Sequence, residues 1–124
     1  MTAMTIQLCS LGVILVLTLT GCETQPRISY QRDVAPIIKA KCLECHLPPK
    51  GIGYLRSGLS MESYESLMNG AIYGPVIVPG DSRHSVLNMV VEGRLDTSMR
   101  APNPLSAEEI AIMQLWVDQG AKNN

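Results

Sequence analysis

Apolar residues recur along this chain in two ways. At the N-terminus they form a run. Residues 1–20 carry no Lys, Arg, Asp or Glu, and Cys9-Ser10-Leu11-Gly12-Val13-Ile14-Leu15-Val16-Leu17-Thr18-Leu19 is almost unbroken. Such a run is short for a membrane span and suits the core of a secretory signal peptide. From about residue 30 the apolar positions fall instead at intervals of three and four. That is the period of a helix with one buried face.

The helical period predicts four helices and no sheet, so the expected fold class is all-α. Val34, Ile37, Ile38 and Cys42 make the first stripe, with Asp33 as N-cap and Pro36 in the first turn, where its missing N–H costs nothing. Pro48-Pro49 forbids further helix. Residues 50–59 hold Gly51, Gly53 and Gly58 and predict a loop. A second helix is expected over 61–69, capped by Ser60 and Gly70, with Tyr64, Leu67 and Met68 inward. Pro75 and Pro79 break the chain after it, and Val76-Ile77-Val78 is too short to argue for a sheet. A third helix should start at Asp81 or Ser82, turn Ser85, Val86, Met89 and Val90 to its apolar side, and end at Gly93. The Pro-containing stretch 94–105 predicts a loop. Ser106 and Glu109 form a capping box for the last helix, whose stripe is Ile110, Met113, Trp116 and Val117 and whose end is Gly120.

Lys41-Cys42-Leu43-Glu44-Cys45-His46 gives this pattern a chemistry. Two thiols three residues apart, followed at once by an imidazole, form the attachment signature of a c-type haem. At a helix end Cys42 and Cys45 lie on one side and can bond as thioethers to the two vinyl groups of one porphyrin. The ring of His46 can then reach the iron from the proximal face. The alternatives are a zinc half-site, a thioredoxin-like redox pair and a disulfide. Zinc needs two more ligands, and past the leader only His84 and Cys22 are on offer. A thioredoxin-like pair belongs in a βαβ pattern, which is not present. The motif thus predicts one covalent haem c bound by Cys42, Cys45 and His46, with His46 on the iron.

Composition agrees. The 124 residues suit one domain. Aromatic residues are few: Tyr30, Tyr54, Tyr64, Tyr73 and Trp116, with no Phe. A chain this small struggles to bury enough apolar surface by itself, and a haem would supply the centre of the core. Residues 50–59 would wrap one haem edge, where Tyr54 and Leu59 are either haem contacts or ordinary loop packing. The formal net charge of −1 gives no basic patch, so nucleic acid is not an expected partner.

The N-terminal run ends in Leu19-Thr20-Gly21-Cys22, which resembles a bacterial lipobox. Cleavage before Cys22 would leave its thiol lipidated. The chain departs from the usual signal pattern in having no Lys or Arg before the apolar run. The alternative is an uncleaved membrane anchor, and both readings export the rest. The expected organisation is a signal peptide at 1–21, a tether at 22–29 and one domain at 30–124. Cys9 leaves with the leader, so no disulfide remains to be built.

Three further stretches carry a family resemblance. Asp33-Val34-Ala35-Pro36-Ile37-Ile38 leading into the cysteines, Val76-Ile77-Val78-Pro79-Gly80-Asp81-Ser82 before a helix, and Leu105-Ser106-Ala107-Glu108-Glu109-Ile110 with Leu115-Trp116-Val117-Asp118-Gln119-Gly120-Ala121 resemble bacterial class I-type monohaem cytochrome c domains. The resemblance implies helices around one haem, with the terminal helices crossing. It also implies a distal Met followed by Pro in the loop before the last helix. Here Ala101-Pro102 stands in that register, with Met99 two residues earlier. Met99 is the expected sixth ligand, because the other methionines past the leader (Met61, Met68, Met89 and Met113) fall on predicted helices, where a Met is more often core. His84 is the rival, and an open iron is the third possibility.

A lone haem motif without a catalytic constellation points to one-electron transfer and not to an enzyme. Glu108 and Glu109 are explained as first-turn charges at a helix N-terminus. The expected protein is a periplasmic, lipid-anchored carrier. Its partners would be a membrane-bound or periplasmic dehydrogenase, oxidase or reductase. The alternative is a haem-based gas or redox sensor with an open or exchangeable sixth position, motivated by Ala101. A third reading is a redox subunit fixed to one such enzyme.

Overall fold

A computed structural model describes residues 24–95, 99 and 102–124. The expected signal peptide and Cys22 lie outside the described residues. Within them the regular structure is helical, as the apolar period predicts: a π-turn at Tyr30–Val34, then α1 (Ala35–Lys41), α2 (Ile52–Ser57), α3 (Tyr64–Asn69), α4 (Val86–Val91) and α5 (Ala107–Asp118). No helix among them is long and apolar enough to cross a membrane.

The first helical turn starts earlier than Asp33. Ser29 Oγ accepts the Arg32 N–H at 3.3 Å, and the Ser29 N–H donates to Asp33 Oδ2 at 2.8 Å. Asp33 is therefore not the cap itself: its carboxylate reaches back to the N–H of the cap, Ser29, from one position beyond that of a capping box. The Ala35 N–H bonds back to the Tyr30 carbonyl, a widened turn just ahead of Pro36, which has no N–H to contribute. α1 then runs to Lys41 and delivers Cys42 at its end, as expected.

Two further starts and one apolar side differ from the sequence reading. Ser63 and Ser66 cap each other at the head of α3, while the Met61 N–H is committed to the His46 carbonyl at 3.0 Å. Residues 61–63 are thereby held outside the helix. Asp81 caps a turn through its carboxylate and the His84 N–H, so α4 begins only after Ser85. Its buried residues are Leu87 and Asn88, together with its cap Ser85, whereas Val86 is exposed.

α5 follows the expectation closely. Ser106 and Glu109 close the capping box, Met113, Trp116 and Val117 are buried, and Gly120 takes φ 101° just past the end. Around Trp116 the rings of Tyr30 and Tyr64 gather at 5.5 and 6.4 Å. Tyr64 Oη donates to the Ala121 carbonyl at 2.8 Å, and Trp116 Nε1 to that of Lys122 at 3.0 Å. Leu67 is fully buried beneath this cluster, a contribution of about 1.5–3 kcal/mol.

The start and the end of the described body are clasped together. Gln119 accepts the Ile28 N–H at 2.9 Å and donates to the Pro26 carbonyl at 2.8 Å. The Gln31 N–H reaches the main-chain oxygen of Asn124 at 3.0 Å. Ile28 is buried in the core, so the packed body begins before residue 30, inside the stretch read as tether. The N-terminal turn packs on α5, in keeping with the terminal pairing that the resemblance implies.

Candidate cofactor site

The turn after α1 is built by its own backbone. The Cys42 N–H bonds the Ile38 carbonyl at 2.9 Å, and the His46 N–H bonds the Cys42 carbonyl at 3.0 Å. Cys42, Cys45 and His46 therefore share one turn. Both thiols are free. Burial, then the neighbouring Cys45 and Glu109, push the Cys42 thiol up to about 11.

His46 is fixed from three sides. Its carbonyl takes the Met61 N–H, and the Cys45 carbonyl takes the Tyr54 N–H at 3.0 Å. Its Nδ1 lies 3.1 Å from the Leu59 carbonyl, which can only accept, so Nδ1 carries the proton. The Nε2 lone pair is left for a metal. A Cβ at Gly53 would stand 2.7 Å from both Cε1 and Nε2 of His46, and one at Gly51 would stand 2.4 Å from the Cys45 oxygen. The two glycines admit the chain where any side chain would collide.

Residues 50–59 are not the loop that their glycines suggested. Gly51 and Gly58 are the ends of α2, Gly58 at φ 72°, and Gly53 sits inside it because the His46 ring needs the space. Ile52, Gly53, Arg56 and Ser57 share the helix face that lines a cavity of about 590 Å³. That lies within the roughly 300–1,000 Å³ range of cofactor sites. Cys45 and His46 line the same cavity, as do Leu59, Met61, Val76 and Met99. Of the two candidate contacts in this stretch, Leu59 lies on the wall and Tyr54 does not, since α2 turns residue 54 off that face.

The residues present fit a haem. The wall is largely aliphatic, an imidazole with its tautomer fixed faces it, and a cradle beside that imidazole would be filled by one methyl group. Cys45 is on the wall, with Cys42 one turn earlier. Met99 lies on the same wall as His46, whereas His84 does not: its side chain is 77% exposed and its Nδ1 sits 2.7 Å from Asp81 Oδ2. Ala101 lies outside the described residues. Val86 and Val90 were read as helix packing and prove to be cavity wall, together with Leu87; in sequence a wall residue and a core residue look alike.

Described residues on either side of Met99 make contacts of their own. Arg94 pairs with Glu92 and donates to the Arg83 carbonyl at 3.0 Å. Lys41 donates to Asn103 Oδ1 at 3.0 Å and lies 3.6 Å from Glu109 Oε2. Lys41 thus links the end of α1 to the start of α5.

A family described as Planctomycete cytochrome C matches residues 42–99. The match begins at Cys42, ends at Met99 and supports a cytochrome c-type domain. No curated protein and no solved structure matches the chain.

Proposed function

We propose that this protein is an exported one-electron carrier, tethered to a membrane by lipid at Cys22. It would hold a single haem c through Cys42, Cys45, His46 and Met99. The observation that carries the reading is His46: its Nδ1–H is spent on the Leu59 carbonyl, and its Nε2 is kept clear by Gly53 beside a largely apolar cavity. The family match at residues 42–99 supports it. When bound, the haem supplies a reversible ferric–ferrous couple. The chain's own part is to orient the imidazole, exclude water with aliphatic side chains, and offer a soft thioether from Met99 that favours the reduced metal. No role as an enzyme is proposed. Redox proteins at the membrane surface are the proposed partners.

The test is optical and chemical. Acid–acetone extraction should leave one haem in the intact mass, and the oxidised protein should show the weak near-infrared band of Met–iron ligation. Met99→Ala should remove that band, lower the potential and open the site to carbon monoxide; His84→Ala should change none of these. Loss of all haem on extraction overturns the carrier. Rapid stoichiometric carbon monoxide binding by the unmutated reduced protein would favour the sensor reading instead.

A further inference from the structure

We infer that Arg56 holds a carboxylate of the bound haem and so fixes which edge of the porphyrin lies at the cavity mouth. The inference rests on the haem reading above and adds a residue to it.

The side chains of the cavity wall are mostly aliphatic, and Arg56 is the one Lys, Arg, Asp or Glu among the described residues that line it. Its position follows from α2. Gly53 and Arg56 are three residues apart, which puts them on one face of the helix. Gly53 meets the His46 ring, so the guanidinium belongs to the next turn of the same face. Arg56 is exposed, as a cation at the mouth and not in the depth would be. No hydrogen bond or ion pair with any described residue uses its side chain. Arg32 and Arg94, by contrast, pair with Asp33 and Glu92. A haem is a flat apolar ring with two carboxylates at one edge. An otherwise apolar wall can take the ring, but the carboxylates need water or a cation. A guanidinium matches a carboxylate with two parallel N–H donors.

The experiment compares Arg56→Gln and Arg56→Lys with the unmutated haem-loaded protein. The readouts are the reduction potential at low and high salt and the propionate-bending bands in the resonance Raman spectrum. Arg56→Gln should shift the potential downward, because a positive charge beside the haem favours the reduced, less positive state. That shift should shrink at high salt, as screening predicts. The propionate band should move. Arg56→Lys should keep most of the potential but not the band, since an ammonium is a point charge without the fork. If Arg56→Gln carries covalent haem with potential and band both unchanged, Arg56 is a solvated surface cation and the inference is overturned. Failure of the haem reading is seen separately, in an unmutated protein that carries no covalent haem. Because the Arg56 side chain is exposed and makes no hydrogen bond or ion pair within the described residues, neither variant should unfold the domain.

Discussion

At position 53 a hydrogen atom decides the chemistry next door. Gly53→Ala would bring a methyl group to 2.7 Å from His46 Nε2, so the variant should mature with less haem, or with a perturbed ferric spin state. Haem stain after denaturing electrophoresis and the optical spectrum measure both. A variant loaded and low-spin like the unmutated protein would show that α2 yields at little cost. Asn88 is the converse case. Both polar atoms of its side chain are buried without a hydrogen-bond partner among the described residues. Asn88→Leu should therefore raise stability by about 1–3 kcal/mol, read as a higher thermal midpoint. A lower midpoint would show that the amide has a partner worth keeping. That Cys42, Cys45 and His46 share one turn was legible from their close spacing. Gly53 and Arg56 were not. Gly53 counts as a turn signal unless the ring it faces is known, and one Arg in a Gly-rich stretch looks like a solvated charge.

Among the elements, the capped helix ends separate what sequence shows from what it hides. Ser106 and Glu109 follow the usual box, and α5 was read correctly from its cap to Gly120. At α3 the box is built from two serines, Ser63 and Ser66, and the expected start fell too early. Ser106→Ala should cost about 1 kcal/mol, seen as a lower midpoint with the haem site intact. The Glu109 carboxylate is held below its ordinary range, first by the Ser106 N–H and then by Lys41. A depressed folded-state value stabilises the protein above the unfolded pKa, and that stability is lost as pH falls through the folded value. The midpoint should therefore drop on acidification below about pH 4.5, the ordinary Glu range. Glu109→Gln should flatten this dependence. An equally steep fall in the variant would assign the effect to other carboxylates, such as Asp33 and Asp81, also held low by their partners Arg32 and His84.

For the whole molecule, the all-α fold was legible because each long apolar stripe kept the helical period. What the pattern did not reveal is that Val86, Leu87 and Val90 face a cavity and that Ile28 belongs to the body. Periodicity reports which face is hidden, not what hides it. Cys22→Ser should release the domain into the soluble fraction or leave an unprocessed precursor, by fractionation and N-terminal mass. An unmutated protein that is soluble and starts elsewhere than Cys22 would remove lipid from the account.

Gln119 grips both Pro26 and Ile28, so tension on the segment before residue 30 is delivered to the far end of α5 and bypasses the turn that bears the cysteines. From position 22 to 26 the chain reaches at most about 15 Å. With Cys22 in the bilayer, as proposed, the body works on a short leash. It can roll across the lipid headgroups but not rise from them. Meeting a partner then becomes a planar search, in which the exposed cavity mouth finds its target by rotation more than by travel.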